Sequence, residues 1–345
     1  MKYYAGLDVS LEETAICIVD EAGSIVRELR ALSDPDSLTT ALQDTGLELA
    51  RVGLEACSQS AWLHDGLAAA GLPVICLETR GAKAAMGAMP VKTDRNDARG
   101  LAQVVRTGWY RAVHVKSGES RMARTLLVAR RTVLNKLRDM ENAVRAVLRE
   151  SGLKLGTPGR KLFAARAREL AGGNAMLAGI VESLLTVIAT MIRELERQTK
   201  TILAMARAEP VCCRMMTVPG VGALTAFAFR ATVDRPERFR SSRDAGAHLG
   251  LTPRRYQSGE TDIAGRISRC GDELARSLLY EAAHTLLTRS RKWSSLRAWG
   301  MNVARRRGMA KARVAVARKL AVILHRIWVD GTEFRWGKQP QGSTA

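Results

Sequence analysis

Asp94 and Asp97 stand three residues apart in "MPVKTDRNDARG", residues 89–100, with basic residues on both sides. On a helix, positions i and i+3 share a face, so the two carboxylates repel each other unless a cation sits between them. A hard divalent cation such as Mg²⁺, or Mn²⁺ in its place, fits that need, because it takes oxygen ligands and bridges to phosphate. A plain surface helix is the bland alternative for this spacing. Two further acids sit where a charge is costly without a partner: Asp8 within the apolar "AGLDVS" and Glu55 at the end of "RVGLEA". Four such carboxylates are the equipment for placing metal ions on either side of a scissile phosphate.

The elements that must position these acids can be read from local pattern. "YYAGLDV", "ETAICIVD" and "IVRELRAL" are three strands of a meander, with "EAGS" as a turn. A helix over about 36–49, the strand "RVGLEA", a helix over about 60–71 and the strand "PVICLE" follow, which predicts an α/β layer on a mixed sheet. Thr93 caps a helix that carries Asp94 and Asp97 and ends near residue 108. An acid on a leading strand, an acid on a later strand and a D-x-x-D helix together form the pattern of ribonuclease-H-like nucleases. "GLDVS" is also similar to the phosphate-binding strand of actin-like ATPases, but that motif needs a glycine where Ser10 stands.

Beyond residue 115 the period becomes helical. Met122 to Val147 recur every three or four residues, and Leu177, Val181, Leu184, Ile188, Met191, Leu195, Gln198, Ile202 and Met205 form a heptad seam of coiled-coil type. From about 211 to 327 the chain reads as an all-α domain with short connections. The expected division is 1–115, 116–209, 210–330 and a disordered tail, 331–345.

Charge narrows the partner. The chain carries 54 Lys and Arg against 34 Asp and Glu, a net charge of +20. Residues 1–115 hold 15 acidic and 11 basic side chains, whereas residues 253–326 hold 17 basic and 5 acidic. A mildly acidic front fits a metal site, and a basic back fits nucleic acid. No C-x-x-C pair occurs among the six cysteines, which argues against zinc and for reduced, mostly buried thiols. No uninterrupted apolar run spans a bilayer and no signal-peptide core is present, so a cytoplasmic, nucleoid-associated protein with no membrane contact is expected.

Two motifs lie in the basic part. "VPGVGALTA", residues 218–226, is a helix-hairpin-helix type turn in which Gly220 and Gly222 present backbone N–H groups to phosphate. "HLGLTPRRYQSGE" follows, with Gly250, Leu251, Pro253, Ser258 and Gly259 at fixed spacing, and Arg254, Arg255, Arg266 and Arg269 as phosphate contacts. A serine before a glycine is ordinarily a turn residue.

Asp8, Glu55, Asp94 and Asp97, then long helices, then "VPGVG" and the Gly-Leu-x-Pro…Ser-Gly motif resemble the DEDD-type insertion-sequence transposases over nearly the whole chain. The resemblance implies a RuvC-like, RNase-H-like first domain and a helical transposase domain. It implies that Ser258 attacks DNA covalently while the acids hold Mg²⁺, and that a noncoding bridge RNA selects donor and target DNA. A homodimer or tetramer, with a composite site between protomers, is implied as well. Chemistry adds that a serine hydroxyl needs activation, and no histidine lies near Ser258 in sequence. A RuvC-like structure-specific nuclease using water, and a non-catalytic nucleic-acid-binding protein, remain the alternatives.

Overall fold

Strands Tyr3–Val9 (β1), Glu13–Val19 (β2) and Ile25–Leu32 (β3) form the antiparallel meander in the computed structural model, which describes residues 1–87, 91–290 and 292–336. The chain then runs through Pro35–Gln43 (α1), Leu49–Glu55 (β4), Ser60–Ala69 (α2), Val74–Leu77 (β5), Thr79–Met86 (α3) and Asp94–Thr107 (α4). Strand order is β3-β2-β1-β4-β5, with β4 parallel to β1 and β5 parallel to β4. This mixed sheet with helices is consistent with an RNase-H-like unit, Met1–Lys116.

Burial follows strand alternation. Leu7, Ile16, Ile18, Val52 and Leu54 pack against Leu38 and Leu42 of α1 and Leu63 and Leu67 of α2. On the other face, Ala15, Cys17 and Val19 meet Ala98 and Ala102 of α4. The helix lies very close to the sheet. A Cβ added at Gly6 of β1 would stand 2.2 Å from the Ala102 backbone nitrogen, and one at Gly53, its register partner on β4, would stand 2.2 Å from Val105 Cγ2. The contact at Gly6 cannot be relieved by a side-chain rotation, because the obstacle there is backbone. Gly6→Val therefore overpacks the sheet by about 3 kcal/mol, read as a lowered urea midpoint for the first unit. A wild-type midpoint would mean that α4 does not rest on Gly6.

The second unit, beginning at Ser117, holds Gly118–Glu150 (α5), Arg160–Ala171 (α6), Ala175–Ala208 (α7), Pro210–Met216 (α8) and Ala223–Val233 (α9). It continues with Ser242–His248 (α10), Pro253–Ser258 (β6), Thr261–Ile267 (β7), Glu273–Thr288 (α11), Ser295–Arg307 (α12) and Met309–Asp330 (α13). Leu177, Val181, Leu185, Ile188 and Leu195 of α7 pack on Leu137, Val144 and Leu148 of α5 within the chain. The seam is thus an internal one, and it departs from the heptad reading: Leu185 is buried in the place assigned to Leu184, and Ala206 in that of Met205. A straight helix repeats every 3.6 residues, so a 3.5-residue pattern drifts off the buried face over this length. The same helix is apolar enough over 18 residues to cross a bilayer by composition, which a search for uninterrupted apolar runs does not register. Ala123 and Leu127 of α5 and Ile202 and Ala206 of α7 join the core that holds Phe227, Phe229 and Leu320.

The all-α expectation for residues 210–330 is corrected by β6 and β7, which form an antiparallel hairpin closed by Gly259 and Glu260. Every residue of β6 is exposed, so no apolar alternation marked it as a strand. All six cysteines are free, and Cys17, Cys76 and Cys212 are buried. Of the expected disordered tail, 331–345, residues 331–336 are described, with Phe334 packed against the core and its N–H donating to Thr217 Oγ1 at 2.9 Å. Residues 337–345, and Pro90 ahead of the acidic helix, lie outside the described residues.

Candidate active site

Parallel pairing of β1 with β4 sets Leu7 beside Leu54, so Asp8 and Glu55, the next residues, end up at neighbouring strand ends. Helix α4 brings the other acids. Thr93 Oγ1 accepts the Asn96 N–H at 3.2 Å and caps it, leaving Asp94 and Asp97 in the first turn, where the positive end of the helix dipole offsets their repulsion. Glu28 of β3 anchors α4 from the side. Its carboxylate accepts from Arg99 Nε at 2.7 Å and from Arg95 Nε at 3.0 Å, and these hydrogen bonds hold Glu28 down at about 2. Neither this clamp nor the Gly6–Gly53 platform was foreseen from sequence, because both join positions more than forty residues apart.

Asp8, Glu55 and Asp97 line one cavity of about 270 Å³, together with Lys83, Lys92 and Val91. Asp94 lines a neighbouring cavity with Ser10, Glu13 and Arg30 instead. Three of the four expected acids are thus brought to one cavity, and the fourth lines another while its charge still acts on Asp8. Burial, with the nearby charges of Asp97 and Asp94, pushes Asp8 up to about 6, against an opposing pull from Lys92. Burial likewise raises Glu55; Lys83 opposes, and Asp8 and Asp97 add to the rise. Glu55 Oε1 is buried with no hydrogen-bond partner among the described residues. No three carboxylate, imidazole or thiol side chains among the described residues are gathered tightly enough to hold an ion as they stand. The donor set nevertheless suits a hard divalent cation: oxygen ligands only, a buried oxygen without a partner, and negative charge raised in energy by its surroundings.

Ser258 closes β6, exposed, opposite Thr261 across the turn. Strand alternation sets it on one face of the ribbon with Tyr256 and Ile263, which are 65% and 58% exposed. Arg255 is on the other face, held by Asp262 through two hydrogen bonds of 2.7 and 2.6 Å. Arg254 donates to the Ser268 carbonyl at 3.2 Å, and Arg266 is exposed on β7. Arg269 takes a φ of 55° at the hairpin's base, where its N–H bonds to the Gly250 carbonyl. Tyr256 was not singled out from sequence, because an all-exposed strand leaves no hydrophobic period that would set it beside Ser258.

Thr217–Gly222 joins α8 to α9. Gly220 has a φ of +86° and faces α11, where an added Cβ would lie 2.4 Å from the Ala282 carbonyl oxygen. Its glycine is thereby required by packing as well as by conformation. Gly222, at the N-cap of α9, is exposed with open space around it.

Comparison with known families defines the class first: residues 5–152 match the DEDD transposase family of IS110 type, and residues 212–298 match the family described as transposase IS116/IS110/IS902. The enzyme is a DNA transposase. Its relatives include the transposase for insertion sequence element IS1111A of Coxiella burnetii, 26% identical over 96% of this chain and 91% of that protein. A probable family 20 transposase of Pseudomonas aeruginosa is 28% identical over 71% of this chain and 75% of its own length. The transposase for insertion sequence element IS1328 of Yersinia enterocolitica is 33% identical over 41% and 42%. The chain belongs to the IS110-type DEDD transposases, and DNA is its partner.

Proposed function

We propose that this transposase cuts DNA with Ser258. Its Oγ attacks a backbone phosphorus, an O–P bond to serine forms, and the bond to one strand end breaks. The serine proton passes to solvent, and the released strand end takes up a proton as a hydroxyl. Attack by a strand hydroxyl on the serine phosphoester reverses the chemistry and joins strands, so bond energy is kept without ATP. The observation that carries this reading is an exposed serine at the end of a cation-bearing ribbon in a chain of this family.

Asp8, Glu55 and Asp97, with Asp94 beside them, are the residues that would hold Mg²⁺, or Mn²⁺ in its place. When bound, the ion supplies Lewis-acid stabilisation of charge on phosphate oxygens. Lys83 and Lys92 keep the acidic cavity from being wholly repulsive to DNA. Arg254, Arg266 and Arg269 hold phosphates around Ser258, and Arg255 joins them when it exchanges Asp262 for a phosphate. Gly220 shapes the α8–α9 turn, and the Gly222 end of α9 offers N–H groups to a phosphate. A bridge RNA guides the choice of DNA, protomers assemble as a dimer or tetramer, and the protein works at the bacterial nucleoid.

Denaturing electrophoresis of the protein with end-labelled DNA and RNA from its native flanks tests the central step: a protease-sensitive, slow-migrating DNA species is expected. Cleavage without any such species is the signature of a water-using RuvC-like nuclease. Binding itself should be steeply salt-dependent. Each phosphate contact contributes roughly −0.7 to −0.9 to the log–log slope, so six or more contacts lose about 10³-fold between 50 and 200 mM salt. A flat anisotropy titration over that range would remove the polyanion argument.

A further inference from the structure

A cavity of about 660 Å³ opens between α10, α12 and α13, at the base of the β6–β7 hairpin. Its wall is apolar, made by Leu251, Ile267, Val303, Val322 and the ring of Trp299. Its rim is cationic: Arg243, Arg307, Lys311, Arg318 and Lys319. No acid lines it among the described residues, and there Arg243, Arg307, Lys311 and Arg318 enter no ion pair. Lys319 Nζ sits 4.3 Å from the Trp299 ring centre, so one rim charge is already seated on the aromatic. The volume falls in the range of sites that enclose small molecules.

An apolar wall with an aromatic ring favours a flat, weakly polar group, whereas a rim of five cations favours an anion. A second copy of this chain fits poorly, since at +20 it would press like charge against that rim. Duplex DNA offers phosphates but keeps its bases stacked. An unpaired nucleotide offers both parts at once. We infer that this cavity seats one unpaired nucleotide of a DNA strand, its base against the apolar wall beside Trp299 and its phosphates on Arg243, Arg307 and Lys311. The inference rests on the reading of the protein as a DNA-cutting transposase. Pro253 and Ile267, register partners at the foot of the hairpin, line the cavity, and Ser258 stands five residues farther along β6, ~17 Å away. The seat therefore adjoins the ribbon that carries the nucleophile and holds a strand near it.

Three short single strands of equal length test this by fluorescence anisotropy with the full chain: intact DNA, DNA with central abasic positions, and RNA of the same sequence. Intact DNA should bind about tenfold tighter than abasic DNA, because stacking and burial of a base are lost while every phosphate remains. Ala315→Phe fills the cavity without removing a cation and should bring intact DNA to the abasic level. Lys311→Glu, on an exposed side chain that leaves the core alone, should weaken intact DNA more than abasic DNA, which is not seated. Equal binding of intact and abasic DNA by the wild type overturns the seat. So does a base preference that survives both substitutions, or one shown by RNA alone. If the seat fails while Ser258 still forms its covalent adduct, the serine reading stands; a base preference without adduct strikes the serine reading instead.

Discussion

Ser258→Ala should bind DNA as the wild type does, keep its fold, and form no covalent protein–DNA species. Transposition should fall by at least ~10³-fold, the scale of loss expected when a covalent nucleophile is removed and only binding and charge stabilisation remain. The fold survives because Ser258 is exposed and closes a ribbon whose β6 residues are all exposed, so the lost oxygen leaves no buried group without a partner. Binding survives because Arg254, Arg266 and Arg269 are untouched. Ser258→Cys is the informative companion. Its thiolate favours softer metals, so partial recovery of the adduct in Mn²⁺ over Mg²⁺ is expected. End-labelled DNA on a denaturing gel, with and without protease, reads all three proteins. Efficient strand cleavage by Ser258→Ala would sink the serine mechanism and leave a nuclease that uses water.

Asp8→Asn should also abolish transposition, yet make the metal-free protein more stable at neutral pH. Asp8 titrates at about 6 in the folded chain against an ordinary 3.8, chiefly through burial and then through Asp97 and Asp94. A carboxyl whose pKa is raised by folding binds its proton more tightly in the native state. Stability is therefore highest below about pH 4, falls as pH rises through about 6, and stays at the lower level above. An asparagine carries none of this penalty. After allowance for partial exposure the gain at pH 8 is about 1–2 kcal/mol, a rise of a few degrees in Tm without divalent ions. Adding Mg²⁺ should reverse the order by stabilising the wild type and leaving Asp8→Asn unchanged. Because protons and cations compete for the same oxygens, the Mg²⁺-dependent shift should shrink as pH drops through about 6. Scanning calorimetry at pH 5 and pH 8, with and without Mg²⁺, reads each of these. Equal Mg²⁺ stabilisation of both proteins would remove Asp8 from the ligand set.

Much of this molecule is set locally. The strands that carry Asp8 and Glu55 and the capped helix that carries Asp94 and Asp97 follow from apolar alternation, turn residues and a threonine cap, all within windows of ten residues. Charge distribution pointed to a nucleic-acid partner without any structure, whereas a role for Ser258 came only from the family resemblance. Tertiary structure alone decided which acids share a cavity. Asp97 joins Asp8 and Glu55 while Asp94 looks elsewhere, because α4 is seated by two glycines and clamped by Glu28, contacts made across more than forty residues of chain. It also decided that residues 253–267 are a ribbon and that the α7 seam is internal, with Leu185 and Ala206 buried in place of Leu184 and Met205. An exposed polar strand leaves no hydrophobic period to read, and the face that a long helix buries is chosen by its partner helix as much as by its own sequence.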